Sequence, residues 1–331
     1  MMNNSSILIT GGTGSFGNCF IPHILKNFSP KRVIVFSRDE MKQWEMAKKF
    51  PNEHRLRFFI GDVRDRDRLY RAMDNVDYVV HAAATKIVPT AEYNPFECIK
   101  TNINGAMNVI DAAIDRKVKG VVALSTDKAS SPINLYGATK LASDKLFVSA
   151  NAYSADTTKL SVVRYGNVMG SRGSVIPFFE SIKHTGQLPI TDELMTRFMI
   201  TLEEGVELVL TAFNEMRGGE IFVKKIPSMN ILDIAKAVSP NAETTVIGIR
   251  PGEKLHEQMI GIDDAPFTFE FNDHYRILPQ LNDCYKKSNY IGIGKPVEKN
   301  FAYTSERNTE WMTSSDLKIW IEENKELIGS I

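Results

Sequence analysis

The stretch Thr10-Gly11-Gly12-Thr13-Gly14-Ser15-Phe16-Gly17 follows a short apolar run, residues 7–9, and opens a helical pattern. Glycines at this spacing permit a tight turn, let the backbone approach a pyrophosphate, and seat a helix against a sheet. The free N–H groups of the helix N-terminus then face the phosphates. Pro22 removes a hydrogen bond from this helix, so we expect a kink or an early helix end. The stretch predicts a dinucleotide site whose contacts are Gly11, Thr13, Gly14, Ser15, Phe16 and Gly17.

Short apolar segments alternate with helical patterns through the first half of the chain. Several of these segments are apolar on both faces, as buried parallel strands are. The alternation predicts an α/β fold with a Rossmann-type, doubly wound parallel sheet. The predicted strands are residues 7–10, 32–37, 56–61, 78–82, 120–125 and 160–165, and the clearest helices are residues 66–73 and 102–116.

The rhythm breaks near Val168, where loops rich in glycine, proline and charge begin. A helical pattern at 202–215 and a strand pattern at 220–224 then indicate a return to the sheet. We therefore predict a cofactor domain at residues 1–168, with returns at about 199–226 and 297–312. Residues 169–331 are predicted to form mainly a smaller, interleaved C-terminal substrate domain. Its last helix, residues 314–327, would be capped by Ser314 or Ser315.

Composition excludes several classes of partner. Lys+Arg and Asp+Glu both number 40, so the formal net charge is zero and predicts no binding to nucleic acid or an anionic membrane. Cys19, Cys98 and Cys284 lie far apart without a CxxC motif, which favours a reducing compartment. No signal-peptide pattern is present, and no apolar run approaches the ~20 residues that span a bilayer. We expect a cytoplasmic protein.

The second predicted strand ends at Phe36-Ser37-Arg38, where enzymes that use NAD place an acidic residue on the ribose. Arg38, with Lys42 one helical turn further on, suits the 2′-phosphate of NADP instead. Asp39 lies close enough to complicate this reading, and both cations could also be solvated residues of a helix start. We interpret the cofactor as NADP, with Ser37, Arg38 and Lys42 among its contacts.

Acidic and small residues end the next two strands. Asp62-Val63 follow the third strand, where a carboxylate could meet the adenine amino group. Ala82-Ala83-Ala84 end the fourth strand, where the cofactor must pass close to the backbone. His81 lies in an apolar strand and is interpreted as a hydrogen-bonded core residue. The six histidines show no metal-ligand spacing, so no metal site is predicted.

Two pairs of titratable residues follow the fifth strand. Tyr136 and Lys140 are four apart, so they share one face of a helix. Asp127-Lys128 adds an acid and a base beside them, which indicates an oxidation coupled to an elimination. An Asp-Lys dipeptide alone is usually surface charge, and Thr126, Asp127 and Lys128 could simply finish a strand and cap the next segment.

With these residues, the chain resembles the extended short-chain dehydrogenase/reductases that act on nucleotide sugars. The runs 81–86, 125–129 and 250–257 resemble more closely the inverting UDP-N-acetylglucosamine 4,6-dehydratases of pseudaminic acid biosynthesis. The resemblance implies an NADP-dependent hydro-lyase that forms UDP-2-acetamido-2,6-dideoxy-β-L-arabino-hex-4-ulose, the first step towards a sugar of flagellin and surface glycans. It also implies a homo-oligomer, which is often a hexamer among relatives.

The chemistry assigns a role to each catalytic candidate. Tyr136, as phenolate, would take the C4 hydroxyl proton, and Lys140 would lower the pKa of that tyrosine. Lys128 would remove the C5 proton as a neutral amine, its pKa depressed by burial and by neighbouring positive charge. Asp127 would protonate the departing C6 hydroxyl, and Thr126 would form a hydrogen bond with the C4 oxygen.

Cationic and polar residues beyond the fourth and sixth strands are candidates for binding the sugar nucleotide. Arg250, with Glu253, is the strongest candidate for the diphosphate and ribose, because a bidentate guanidinium suits that task. Asn102 is interpreted as a prop bonded to backbone near the site, rather than as a ligand. The further substrate candidates, each of which could instead be an ordinary surface or interdomain residue, are Lys86, Asn167, Arg172, Thr191 and Arg197.

Two other functions stay open from the residues. A nucleotide-sugar 4-epimerase would use Tyr136, Lys140 and the cofactor, but would need neither Asp127 nor Lys128. A non-catalytic NADP-binding sensor would need no proton relay at all. Retention of the 6-hydroxyl in the product would favour the epimerase, and cofactor binding without turnover would favour the sensor.

Overall fold

The computed structural model describes residues 1–154, 157–280, 288–326 and 328–329, and Cys284 lies outside these residues. Along them the strands are β1 (Ser6–Thr10), β2 (Arg32–Ser37), β3 (Leu56–Ile60), β4 (Tyr78–His81), β5 (Gly120–Thr126), β6 (Lys159–Tyr165), β7 (Asn167–Val168), β8 (Gln187–Ile190), β9 (Thr196–Ile200), β10 (Ile221–Lys224), β11 (Ser228–Asn230), β12 (Glu243–Val246), β13 (Gln258–Ile260), β14 (Thr268–Glu270), β15 (His274–Ile277), β16 (Lys295–Pro296) and β17 (Tyr303–Thr304). The helices are α1 (Ser15–Asn27), α2 (Glu40–Lys48), α3 (Arg66–Ala72), α4 (Val88–Tyr93), α5 (Pro95–Ile99), α6 (Gly105–Asp115), α7 (Leu135–Ala150), α8 (Val175–Ile182), α9 (Leu202–Glu215), α10 (Ile231–Val238), α11 (Ser288–Ile291) and α12 (Ser314–Glu323).

The main sheet has the strand order β16-β14-β15-β10-β6-β5-β4-β1-β2-β3. The seven strands from β10 to β3 in this order pair in parallel, and helices connect them. Strands β15, β14 and β16 extend the sheet by antiparallel pairing at the β10 edge. This arrangement confirms the predicted doubly wound α/β fold and all six predicted strands of the first half. The antiparallel edge was not predicted.

The apolar interior of the described residues forms two large clusters and a small third one of Ala91, Cys98 and Tyr136. The larger of the two lies around the main sheet and includes Phe20, Phe36, Phe147 and Phe222. The smaller of the two joins α8, α10 and α12 to the short strands β8 and β9 through side chains such as Phe179. A crevice separates the ends of the parallel strands from the loops of the smaller cluster. The division at residues 168 and 169 remains our proposal for the domain boundary.

Three local predictions need revision. Helix α1 continues past the exposed Pro22 to Asn27, so the expected early end is wrong. The helix expected at 102–116 begins as a π-helical turn, Lys100–Asn104, before α6. The cap of α12 is Thr313, not Ser314 or Ser315, because Thr313 has the extended backbone that lets its hydroxyl accept from the Asp316 N–H. That helix ends at Glu323, and Leu327 lies outside the described residues.

Among the helices of the described residues, none has both the length and the apolar composition needed to cross a bilayer. The same residues contain no cluster of histidine, cysteine and carboxylate side chains suited to a metal ion.

Candidate active site

A cavity of about 1200 Å³ opens where the carboxyl ends of the parallel strands face the loops of the smaller cluster. Its volume exceeds the roughly 300–1,000 Å³ of a pocket for one small ligand, so it can hold two. Every residue predicted for cofactor, catalysis or substrate lines it except Gly17. In open α/β sheets ligands bind at this edge, so the structure brings the predicted residues together where the fold favours a site.

The glycine turn fits the pyrophosphate of a dinucleotide. Gly11 has φ +66°, and a Cβ there would lie 2.9 Å from the backbone N and Cα of Ala83. The turn therefore packs directly against the end of β4, which only glycine allows. Asn18 fastens the turn by donating to the carbonyl oxygens of Thr13 and Gly14 at 3.1 and 3.0 Å. The N-terminus of α1 is left facing the cavity, where it favours an anion.

Gly17 serves the fold rather than the ligand. A Cβ at this position would lie 2.0 Å from the Gly12 carbonyl oxygen, so the first turn of α1 packs on the loop itself. This is the close helix packing expected for the last glycine of such a loop. Gly17 does not line the cavity, so it would support the cofactor loop by packing rather than contact the cofactor as predicted.

The end of β2 presents cations at the rim. The Arg38 side chain is 63% exposed and lies 3.8 Å from an Asp62 carboxylate oxygen. Burial opposes the ionisation of Asp62, but hydrogen bonds from Arg64 and the charge of Arg38 outweigh it and lower the pKa of Asp62. Asp39 caps α2 by accepting from the Lys42 N–H at 3.0 Å. Arg38 therefore has an exposed guanidinium beside the cavity, held near one carboxylate.

Helix α7 carries the Tyr–Lys pair and is fixed at its start by Asn134. The Asn134 side chain accepts from the Gly137 N–H and donates to the Gly252 carbonyl, both at 2.7 Å. The first bond caps the helix, and the second ties it to the loop of Arg250. This role of Asn134 was missed, because an Asn-Leu-Tyr sequence indicates a cap but not its second partner.

Tyr136 and Lys140 are both buried on the cavity side of α7. The Lys140 ammonium donates to the Leu124 carbonyl at 2.7 Å, which anchors it at the end of β5. Burial lowers the pKa of Lys140, and the charge of Asp144 opposes that effect. Burial raises the pKa of Tyr136 to about 12, against the charge of Lys128 and hydrogen bonding with Thr126. The leading positive charge on Tyr136 thus comes from Lys128, whereas Lys140 was predicted.

Asp127 and Lys128 form an ion pair in the 3₁₀ turn that follows β5. The Lys128 ammonium lies 3.1 Å from Asp127 Oδ1, and that oxygen also accepts from the Thr126 hydroxyl at 2.8 Å. The same ammonium lies 3.1 Å from Glu257 Oε1. Burial lowers the pKa of Lys128, but the charges of Asp127 and Glu257 outweigh it and raise that pKa. The predicted depression of this pKa is wrong, because the sequence analysis did not place Glu257 here.

Beneath this group lies a second buried ion pair. Arg164 donates to an Asp144 oxygen at 3.1 Å, and the two side chains are 3% and 2% exposed. The Ser125 hydroxyl donates to the same oxygen at 2.8 Å, and Arg164 also donates to the Met259 carbonyl at 2.8 Å. The pair joins the end of β5, helix α7 and the strand β13, so it holds the elements that carry the catalytic candidates.

The substrate candidates all line the cavity, and together they form what we call the substrate wall. The exposed Arg250 pairs with Glu253 at 3.1 Å, and the buried Arg197 reaches the same carboxylate at 3.5 Å. Asn167 has a buried side-chain oxygen with no hydrogen-bond partner within the described ranges. Burial, with a contribution from the charge of Arg172, lowers the pKa of Lys86. Thr191 and Arg172 also line this wall.

The two predicted supporting residues are confirmed. His81 is buried and lies 2.8 Å from the Thr10 hydroxyl through Nδ1, and burial lowers its pKa to about 3. Asn102 accepts from the Thr85 N–H at 2.8 Å and donates to the Thr85 carbonyl at 3.0 Å. It also donates to Thr139 of α7 at 3.0 Å, so it joins the loop after β4 to the catalytic helix.

The chain is similar to a family model, to curated proteins and to solved structures. Residues 7–279 match the model of a family described as polysaccharide biosynthesis protein. Over 325 residues the chain is 54% identical to the inverting UDP-N-acetylglucosamine 4,6-dehydratase of Campylobacter jejuni, covering 96% of this chain and 97% of the relative. It is 42% identical over 327 residues to a UDP-glucose 4-epimerase of Rickettsia canadensis, with coverages of 96% and 95%. The X-ray structure of Pen from Bacillus thuringiensis is similar with a TM-score of 0.89 at 39% identity over 99% of each chain.

Proposed function

The chain belongs to the polysaccharide biosynthesis protein family of extended short-chain dehydrogenase/reductases, and we propose that it is an inverting UDP-N-acetylglucosamine 4,6-dehydratase that uses NADP. One observation carries the proposal: the buried Asp127 and the partly buried Lys128 meet at 3.1 Å in the cavity that also holds Tyr136 and Lys140. Dehydrogenation alone needs only Tyr136 and Lys140. Elimination of water needs an additional acid and an additional base, which Asp127 and Lys128 supply.

Tyr136 acts first, by accepting the proton of the C4 hydroxyl as a phenolate. A bound nicotinamide dinucleotide supplies a hydride acceptor, and later a hydride donor, beside the sugar. Lys128 and Thr126 favour the phenolate, the first by its charge and the second by hydrogen bonding. Lys140, anchored on the Leu124 carbonyl, presents a donor below the same face of α7. These residues serve the opening oxidation at C4, which stays a ketone in the product.

Lys128 and Asp127 then carry out the elimination as one unit. The ion pair and a neutral amine–carboxylic acid pair contain the same number of protons, so one transfer over 3.1 Å converts the first into the second. The neutral Lys128 takes the C5 proton, the C5–H electron pair forms the C5=C6 bond, and Asp127 protonates the departing C6 hydroxyl as water. The ion pair is thereby restored. The C5=C6 bond is then reduced: C6 receives a hydride from the bound dinucleotide, and C5 takes a proton on the opposite face.

The substrate wall binds the nucleotide in this proposal. Arg250 and Glu253 contact the diphosphate and ribose of the UDP group, because a guanidinium pairs with two phosphate oxygens at once. The buried Asn167 side-chain oxygen, which has no hydrogen-bond partner among the described residues, would accept a hydrogen bond from the substrate. Further polar contacts come from Lys86, Arg172, Thr191 and Arg197.

The product is UDP-2-acetamido-2,6-dideoxy-β-L-arabino-hex-4-ulose, and we propose that it enters pseudaminic acid biosynthesis for flagellin or surface glycans. The sequence resemblance is the support for this pathway and for a homo-oligomer that is often a hexamer among relatives. The widely spaced cysteines without a CxxC motif support a cytoplasmic setting. No nucleic-acid or membrane partner is part of the proposal, since the formal net charge is zero.

Arg38→Ala is expected to weaken NADP binding at least tenfold more than NAD binding. The exposed guanidinium lies at the rim beside Asp62, where it can pair with a 2′-phosphate that NAD lacks. Titration of both cofactors by calorimetry measures the two losses, and Arg71→Ala, at an exposed arginine of α3, serves as the matched control. An equal loss for both cofactors would remove Arg38 from the 2′-phosphate site.

The competing function is a 4-epimerase, which the 42% identity to the Rickettsia canadensis enzyme supports. It would use Tyr136 and Lys140 in the same way and would retain the 6-hydroxyl. The acid–base pair Asp127–Lys128 favours the dehydratase, because epimerisation at C4 breaks no bond at C5 or C6.

Proton NMR of the protein with UDP-N-acetylglucosamine in D₂O tests the proposal. We expect a 6-deoxy-4-keto product that carries deuterium at C5 and has the L-arabino configuration. The Tyr136→Phe variant should form no product and serves as the inactive control. A product epimeric at C4 with its 6-hydroxyl intact would establish the epimerase. Unchanged substrate after addition of NADP would contradict both activities on this sugar nucleotide. It would favour the non-catalytic NADP-binding sensor.

A further inference from the structure

Glu257 is a buried carboxylate to which the sequence analysis assigned no role. It lies immediately before β13 and is 1% exposed. Its backbone N–H donates to the Ser305 hydroxyl at 2.9 Å, and its carbonyl accepts from the Ser305 N–H at 2.8 Å. The backbone is therefore fixed on both sides, so the direction of the Glu257 side chain is set by the fold.

That side chain reaches the catalytic candidates. Its Oε1 lies 3.1 Å from the Lys128 ammonium and 3.9 Å from Arg197 Nε. Lys128 is thus held between two carboxylates, with Asp127 Oδ1 also at 3.1 Å. The second oxygens of Asp127 and Glu257 are buried, and neither has a hydrogen-bond partner in the part of the chain that the structure describes. Such unpaired buried oxygens are costly, which points to a functional role.

We infer that Glu257 is a positioning residue that fixes Lys128 beside Asp127 and keeps one proton within the Asp127–Lys128 pair. The inference rests on the proposed function for its meaning, because the elimination needs that shared proton. If the pair lost it, Asp127 would have no proton to give the departing hydroxyl. A second carboxylate beside the amine stabilises the protonated pair and opposes that loss.

The charges around Lys128 support this assignment. Asp127 and Glu257 are the carboxylates in contact with it, and Arg197 and Lys254 are the neighbouring cations. Tyr136 faces the same ammonium. Arg197 also pairs with Glu257, so that carboxylate is shared between two cations. Removal of the Glu257 charge therefore leaves Lys128 with one carboxylate against two cations, in a buried site where an opposite charge shifts a pKa by roughly 1–3 units.

The test is a titration of Lys128 in the full chain, observed by the ¹³C signal of lysine Cε after biosynthetic labelling. Lys128→Arg identifies the signal by its disappearance. In Glu257→Gln we expect Lys128 to begin losing its proton at least about one pH unit lower than in the parent protein. Glu253→Gln is the matched control, because that carboxylate contacts Arg197 and not Lys128, so its shift should be much smaller. An onset at the same pH in Glu257→Gln and the parent would overturn the inference.

The pH dependence of dehydration activity is a second, independent test of the inference. In Glu257→Gln the alkaline limb of the pH profile for dehydration should move down by the same amount as the Lys128 titration, while NADP affinity stays at the parent value. A lower rate at every pH without movement of the limb would indicate a merely structural role and overturn the inference. If Glu257→Gln does not fold, Glu257→Asp replaces it: a smaller downward shift supports the inference, and an unchanged onset contradicts it. The titration needs no substrate, so absence of dehydration in the parent would defeat the proposed function without deciding this inference.

Discussion

Lys128→Ala is expected to abolish water loss from the sugar nucleotide while NADP binding is retained. A positioned base contributes about 10²–10⁴-fold to a rate, so we expect a loss at least that large. The side chain is 23% exposed, and its contacts are with Asp127 and Glu257. Product formation by NMR and NADP affinity by calorimetry measure the two effects. Loss of NADP binding would contradict the placement of Lys128 on the sugar side.

Two further variants separate the base from its charge. Lys128→Ala leaves the buried Asp127 carboxylate without its cation and leaves Glu257 with Arg197, which lowers stability at neutral pH. Lys128→Arg keeps the positive charge but cannot lose its proton, so it should also stop dehydration while the carboxylates stay paired. Lys145→Ala, at an exposed lysine of α7, should keep the parent rate. Substantial dehydration by Lys128→Arg would show that Lys128 is not the base.

Asp144→Ala is expected to lower the free energy of unfolding by about 3–5 kcal/mol, because it leaves the Arg164 guanidinium buried without its carboxylate. Arg164 and Asp144 are almost fully buried at 3.1 Å, and the Ser125 hydroxyl loses its acceptor at the same time. Denaturant unfolding of the parent and the variant measures the difference. A loss of less than about 1 kcal/mol would contradict the prediction, because it would equal the contribution of an ordinary surface ion pair.

The control for Asp144→Ala is Asp115→Ala. Asp115 pairs with Arg66 at 3.4 Å on the surface, so its removal should cost less than about 1 kcal/mol. The double variant Asp144→Leu/Arg164→Met removes both buried charges and should recover most of the stability, since apolar side chains can replace a buried ion pair. If the double variant is no more stable than Asp144→Ala, the unpaired charge is not the cause of the loss.

Local patterns predicted the frame of the site well. The glycine stretch and the apolar strands report interactions close in sequence, so β1 to β6 appeared within one residue or so of their expected ends. The ends of parallel strands meet at one edge, so the residues after each strand could be assigned to one cavity before the structure was known. The strands β14, β15 and β16 were missed, because two to four residues are too short to show an alternation.

The electrostatics of the site could not be predicted in the same way. Lys128 and Glu257 are far apart along the chain and meet only through packing of the loop before β13. Without Glu257, the burial of Lys128 predicts a depressed pKa, and with it the direction reverses. The cap of α12 failed for a smaller reason: Thr313, Ser314 and Ser315 all carry a hydroxyl, and only the backbone conformation decides which one caps.

The tie between Asn134 and the Gly252 carbonyl has a consequence for which molecules can react. It joins the start of the helix that carries Tyr136 to the loop that carries Arg250, through one bond of 2.7 Å. It therefore constrains the span between Arg250, which we propose contacts the diphosphate, and Tyr136, which we propose takes the C4 hydroxyl proton. A substrate must contact both Arg250 and Tyr136 at once. A free sugar or a sugar 1-phosphate lacks the group for one of these contacts. It should therefore bind in many orientations and react in few of them.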